Sequence, residues 1–277
     1  MTQLRFTKMQ GLGNDFVVID AIRQDVPMTP DLARRLADRR FGIGCDQLLL
    51  VESPRLPDTA FHYRIYNADG SEVEQCGNGA RCFARFVRDQ GLSASDEIIV
   101  GTAAGVIVLR LNSNGQVSVD MGRPRLEPAE VPFQAGRRAP AYDLGHGCDA
   151  IRMGVVSMGN PHAVLAVDDV DQAAVSTLGP RIENDPRFPQ RTNVGFMQVI
   201  DSEHIRLRVW ERGVGETLAC GTGACAAVVV GRLWGELGER VSVELPGGSL
   251  VIQWLGEGSS VIMTGPATRV FDGDITL

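Results

Sequence analysis

Residues 210–227 read WERGVGETLACGTGACAA, and how that stretch is parsed decides the fold. At its centre, Cys220-Gly221-Thr222-Gly223 sets one thiol among small residues; the apolar run 226–230 follows, and Gly231, Trp234 and Gly235 close it. This pattern predicts a loop that delivers Cys220 to the first turn of a buried helix, with Gly235 as the stop. Residues 72–91 carry the same arrangement: Glu72, then Cys76-Gly77-Asn78-Gly79-Ala80, an apolar face of Phe83, Phe86 and Val87, and Gly91. Glu72 and Glu216, Cys76 and Cys220, Gly79 and Gly223, and Gly91 and Gly235 are each 144 residues apart.

The correspondence extends outward in both directions. Gly13-Asn14 matches Gly159-Asn160 at an offset of 146, each a turn into an apolar strand. Gly44-x-x-Gln47 matches Gly195-x-x-Gln198 at 151, and strands 98–100 and 105–108 match 241–243 and 248–251 at 143. Self-similarity on this scale predicts a duplicated architecture. Residues 29–40 read as a surface helix with Thr29 as N-cap and Pro30 in the first turn. Most other segments alternate as strands joined by hairpins, Asn114-Gly115 among their turns. The expected fold is α+β: two pseudo-symmetric repeated domains, each a mostly antiparallel sheet wrapped around a central helix. Their expected bounds are 1–122, joined by the C-terminal segment 266–277, and 123–265, with the active site in the cleft between them.

Composition narrows the function classes. The chain has 277 residues, 44% of them apolar, and a net charge of −7. No basic run is denser than Arg34, Arg35, Arg39 and Arg40, which disfavours a nucleic-acid or anionic-membrane partner. No stretch reaches the roughly 18 apolar residues of a membrane span, so a soluble, cytoplasmic protein is expected. The cysteines at 45, 76, 82, 148, 220 and 225 lack zinc-site spacing. Only Cys76 and Cys220 hold equivalent places; the others read as packing thiols.

A helix start presents unpaired backbone N–H groups and the positive end of the helix dipole, which bind carboxylates and lower a thiol's pKa. Glycines 77, 79, 221 and 223 allow a ligand close to the backbone. Two thiols on opposite faces of one carbon are the minimum machinery for inverting a stereocentre. Other readings fit less well. Gly221-x-Gly223-x-x-Ala226 fits a loose dinucleotide fingerprint, but residues 213–219 do not read as the strand it needs. A thiol oxidoreductase would want a C-x-x-C pair, and a pure binding module would not need both thiols.

The segments YNADGSEVEQCGNGAR (66–81) and WERGVGETLACGTGA (210–224), with KMQGLGNDF (8–16), FGIGCDQLL (41–49), SMGNPH (157–162) and RTNVGF (191–196), resemble the diaminopimelate epimerase family. The resemblance covers nearly the whole chain, without departure at any motif position. It implies cofactor-independent epimerisation of LL-2,6-diaminopimelate to the meso form, on the route to lysine and peptidoglycan. Neither pyridoxal phosphate nor metal is implied, and a homodimer is. It makes Cys76 and Cys220 the acid and base. Gly77, Asn78, Gly221 and Thr222 would hold the α-carboxylate; Asn14, Gln47, Asn67, Asn160, Asn193, Glu211 and Arg212 would contact the substrate, mostly at its distal end. His162 and Glu211 would tune the thiols. A proline or hydroxyproline epimerase, which also uses two cysteines, is the alternative.

Overall fold

The computed structural model describes residues 3–73, 76–145 and 151–277; Cys148, His146 and Ala150 lie outside them. The chain divides into two compact units, 1–120 with 264–277, and 121–263.

In the first unit, β1 (Gln3–Gly11) turns through Leu12 and Gly13, both at positive φ, into β2 (Asn14–Asp20). Helix α1 (Pro30–Ala37) is capped by the Thr29 hydroxyl, which accepts from Leu32 N at 3.2 Å. It is shorter than the sequence suggested, because the Asp38 carboxylate captures the N–H groups of Arg40 and Phe41 and turns the chain away. Strand β3 (Gln47–Glu52) then runs parallel to β2, and β4 (Phe61–Asn67) antiparallel to β3. The two-residue β5 (Glu72–Val73) folds back on β4 and leads to α2 (Gly77–Asp89). Strands β6 (Glu97–Thr102), β7 (Gly105–Leu111) and β8 (Val117–Asp120) follow as an antiparallel meander, β6 lying parallel to β4.

The second unit repeats this wiring. Strand β9 (Tyr142–Leu144) pairs with β10 (Ile151–Ser157), which turns into β11 (Pro161–Ala166). After α3 (Val175–Glu183), β12 (Asn193–Asp201) runs parallel to β11 and β13 (His204–Glu211) antiparallel to β12. Strand β14 (Gly215–Thr217) folds back on β13 before α4 (Gly221–Leu233). Residues 213–219 therefore do contain a strand, against the sequence reading. It is a three-residue hairpin arm, not the buried parallel strand of a dinucleotide fold. Strand β15 (Arg240–Leu245) is parallel to β13 and antiparallel to β16 (Gly248–Trp254); β17 (Val261–Gly265) returns the chain to the first unit, where β18 (Thr268–Thr276) pairs with β1.

In each unit the helix crosses over between two parallel strands and is pressed against the sheet. Ala80, Cys82, Phe83, Ala84 and Val87 of α2 are fully buried, as are Ala224 to Val229 of α4. Close approach is bought with glycine: a Cβ on Gly154 of β10 would stand 2.3 Å from Val230. Both helices end alike. Gly91 and Gly235 take φ of 64° and 79°, and Leu92 N→Val87 O and Glu236 N→Gly231 O, each 3.0 Å, close the turn beyond them.

Candidate active site

Cys76 and Cys220 are the N-cap residues of α2 and α4, both in extended backbone, with φ of −143° and −118°. Gly79 N donates to Cys76 Sγ at 3.4 Å, while Cys220 Sγ has the Thr222 hydroxyl at 3.6 Å. The thiols thus sit at the positive ends of buried helices. Among the described residues no three His, Cys, Asp or Glu side chains group so as to hold a metal ion.

Strand register gathers the other candidates. In the first unit Phe16 stands opposite Gln47, and Gln47 opposite Asn67, with Gln47 Nε2 donating to Asn67 Oδ1 at 2.9 Å. In the second, His162 stands opposite Asn193, and the β12–β13 register that sets Val194 against Trp210 brings Asn193 level with Glu211. The structural counterpart of Gln47 is therefore Asn193, and that of Asn67 is Glu211. This corrects the sequence match of Gln47 with Gln198. Gln198 lies farther along β12, opposite Arg206, and donates to Asp168 O at 2.9 Å. Each unit so assembles one four-residue set: Asn14, Gln47, Asn67 and Cys76; Asn160, Asn193, Glu211 and Cys220.

Within the first set, Asn14 Oδ1 accepts from Cys76 Sγ at 3.9 Å and from Asn78 Nδ2 at 3.5 Å. Within the second, Asn160 Nδ2 donates to Thr222 Oγ1 at 3.4 Å, and His162 Nε2 lies 3.0 Å from Asn160 Oδ1. His162 thus connects to Cys220 through Asn160 and Thr222. Asn193 Nδ2 donates to Pro161 O at 3.1 Å, and its Oδ1 accepts from Arg212 N at 2.9 Å. The Arg212 guanidinium donates to Gln190 O at 2.9 Å, and Glu211 accepts from the Thr217 hydroxyl at 2.5 Å. Gly77 and Gly221, both buried, open their helices.

Burial dominates the proton affinity of Cys220. Desolvation pushes this thiol well above its ordinary pKa, the Glu211 charge pushes the same way, and the Thr222 and Gly223 hydrogen bonds only partly offset them. This direction runs against the expectation that a helix start brings the thiol toward neutral. Burial, with Arg212 beside it, lowers His162 to about 3 and keeps the imidazole neutral. Burial also pushes Cys45 and Cys82 up to about 12, which leaves them inert packing groups.

The matched glutamates have a different task. Arg64 grips Glu72 through Nε and Nη2 at 2.8 Å each, and Arg208 grips Glu216 in the same way at 2.6 and 3.0 Å. These forks clamp β5 to β4 and β14 to β13, the segments that lead into each cysteine.

Three supporting residues were not singled out from sequence. Arg81 is fully buried in α2 and reaches Pro266 O at 3.1 Å and Asn78 Oδ1 at 3.0 Å, tying the helix start to the C-terminal segment. Its signal was an arginine among Ala80, Phe83 and Ala84. Glu183, 5% exposed, accepts from Trp210 Nε1 and Gly213 N at 2.8 Å each and so brackets Glu211 and Arg212. Asp46 binds Asn14, and no local pattern announces that contact.

Comparison with known proteins bears on the family. Residues 6–127 and 154–270 match the family model described as diaminopimelate epimerase. The chain is 62% identical over 277 residues to a diaminopimelate epimerase of Thioalkalivibrio sulfidiphilus, covering 99% of this chain and 100% of that one. It is 59% identical over 274 residues to one from Ectopseudomonas mendocina, with 99% of each chain covered. Among solved structures, a hydroxyproline epimerase from Agrobacterium vitis superposes with a TM-score of 0.68 at 14% identity, covering 99% of this chain and 92% of that one, which is a likeness of fold. The repeated sheet-and-helix architecture, the paired cysteine helix starts and the near-full-length identities converge on one assignment: the chain belongs to the diaminopimelate epimerase family.

Proposed function

We infer that the protein inverts one α-carbon of LL-2,6-diaminopimelate to give the meso form, with Cys76 and Cys220 as the acid–base pair. The carrying observation is that one four-residue arrangement is built twice, each copy ending in a cysteine at the N-cap of a buried helix. In the reaction one thiolate takes the α-proton and the other thiol delivers a proton from the opposite face, the roles exchanging in reverse. The raised pKa of Cys220 suits it to begin as the protonated partner, leaving Cys76 to act as base.

An α-C–H is a far weaker acid than a thiol, and each pKa unit of mismatch adds about 1.36 kcal/mol. Backbone N–H groups of Gly77, Asn78, Gly221 and Thr222 at the helix starts offset this by stabilising charge on the α-carboxylate. Asn14, Gln47, Asn67, Asn160, Asn193, Glu211 and Arg212 hold the rest of the substrate, its distal amino-acid end above all. Glu211 and the amide oxygens suit an ammonium, and Arg212 a carboxylate. His162 and Glu211 set the proton affinity of the thiols.

Two further features are consistent with the reading. Among the described residues no helix is long and apolar enough to cross a membrane. A homodimer is the proposed assembly, and Val270 and Phe271 of β18, 55% and 49% exposed, are apolar surface available to it.

The test is exchange of the substrate α-hydrogen with deuterated water, using chelator-treated protein without added cofactor. Wild type exchanges with inversion; Cys76→Ala and Cys220→Ala lose inversion. Turnover of proline in place of diaminopimelate would overturn the substrate assignment.

A further inference from the structure

Asn14 and Asn160 follow glycines at matched positive φ, 86° at Gly13 and 93° at Gly159, and enter equivalent strands. Different partners fix their amides. Asn14 Nδ2 donates to Asp46 Oδ2 at 2.8 Å; a carboxylate only accepts, so Asn14 Oδ1 is the end turned toward Cys76 Sγ and Asn78 Nδ2. Asn160 is held the other way round: Oδ1 meets His162 and Nδ2 is turned to Thr222. One unit therefore turns an amide oxygen toward its helix start where the other turns an amide NH2.

Asp46 is itself fastened. Arg39 Nη2 reaches Asp46 Oδ1 at 2.7 Å, and Asp15 N donates to Asp46 Oδ2 at 3.0 Å. The same guanidinium forks onto Asp15 at 2.7 and 3.0 Å, and Lys8 Nζ closes on Asp15 at 2.6 Å. The outer pair is open to solvent, with Arg39 57% and Asp46 44% exposed; the inner pair is not, with Lys8 12% and Asp15 19% exposed. An exposed ion pair by itself is worth only about 0–1 kcal/mol and would leave chemistry unmoved. The contact that reaches inward is the one to Asn14.

We propose that Asp46 is a positioning residue for the Cys76 thiol: it locks the amide of Asn14 with its oxygen toward the sulfur, so that the S–H proton has a fixed acceptor. The proposal rests on reading Cys76 as one of the acid–base pair. Replacing the carboxylate in Asp46→Asn releases the lock, because the new amide can donate where Asp46 could only accept. The Asn14 amide is then free to turn its NH2 to the sulfur, which favours the thiolate.

The experiment compares Asp46→Asn, Asn14→Ala and the double variant. Alkylation of Cys76 by iodoacetamide at neutral pH is read by mass spectrometry, with Cys220 of the same molecule as reference; α-hydrogen exchange is measured alongside. Asp46→Asn is expected to speed Cys76 alkylation about fivefold to tenfold, the worth of one hydrogen bond, to shift exchange away from the wild-type rate, and to leave Cys220 alone. In the Asn14→Ala background the same substitution is expected to change neither readout. Three results would overturn the proposal: unchanged Cys76 alkylation in Asp46→Asn, equal acceleration without Asn14, or joint acceleration of both thiols, which marks general loosening. Inversion retained by Cys76→Ala would instead overturn the functional reading, while the alkylation comparison would still decide the role of Asp46.

Discussion

His162 Nε2 lies 3.0 Å from Asn160 Oδ1, and burial keeps that imidazole neutral, its pKa lowered to about 3. A neutral ring donating from Nε2 must take up a second proton, and a charge, in an interior where it is only 1% exposed. The unfolded chain, with a histidine pKa near about 6.5, binds that proton more readily. The folded value is depressed, so this stability is fully present above about pH 6.5 and is lost as pH falls toward about 3. Denaturant midpoints should drop on acidification through that window, by a total of a few kcal/mol. His162→Gln can still donate to Asn160 but does not titrate, and it should flatten the slope. An unchanged slope in that variant would sink the argument.

Glu211 should govern the Cys220 thiol from the neighbouring strand end. Its charge and hydrogen bond raise a pKa that burial has already raised. Glu211→Gln removes the charge while keeping the shape, so Cys220 should ionise at lower pH and react faster with iodoacetamide. Burial remains, so the reaction should stay slower than that of a free cysteine. Substrate turnover should fall, because the same carboxylate is assigned to the ammonium of the substrate. Alkylation of Cys220 measured against pH checks the direction; a slower reaction in the variant would contradict it.

The helices, their cysteine caps and their glycine stops were legible because each is written locally: a thiol among small residues, an apolar run, a glycine at fixed distance. Gln47 was mismatched for the opposite reason. Two Gly-x-x-Gln segments look alike, but the equivalence of Gln47 with Asn193 is set by parallel pairing of β2 with β3 and of β11 with β12, each across 26 residues of connection that periodicity cannot see. The proton affinity of Cys220 was misjudged because dipole and desolvation oppose each other, and only the depth of burial decides between them. The Asp46 contact to Asn14 spans 32 positions and joins the loop before β3 to the start of β2, so nothing in either segment reveals it.

The paired forks of Arg64 on Glu72 and Arg208 on Glu216 should behave as clamps, not as parts of the chemistry. Their members are 22–40% exposed, so solvent screens the attraction. Glu72→Gln and Glu216→Gln should each cost about 1 kcal/mol or less in urea denaturation. Neither should alter the alkylation rates of Cys76 and Cys220 by as much as twofold. A tenfold change in either rate would mean that these glutamates act on the thiols.

Gly79 and Tyr63 supply the sharpest test of how α2 is seated. A Cβ on Gly79 would stand 2.4 Å from the Tyr63 hydroxyl oxygen and 3.2 Å from Leu49. That hydroxyl is buried and makes no hydrogen bond among the described residues. Tyr63→Phe should therefore be neutral or stabilising by up to about 1 kcal/mol, since it removes an unpaired polar atom. Gly79→Ala gains up to about 1 kcal/mol in helix propensity but must push the ring or the helix aside, at about 1–3 kcal/mol. It also displaces the N–H that donates to Cys76, so activity should fall more than stability does. The two changes touch the same space and cannot be additive: with Phe at 63, the alanine should be accommodated at distinctly lower cost. Chemical denaturation of the wild type, both single variants and the double variant completes the cycle. Strict additivity would show that α2 does not rest on Tyr63 through Gly79.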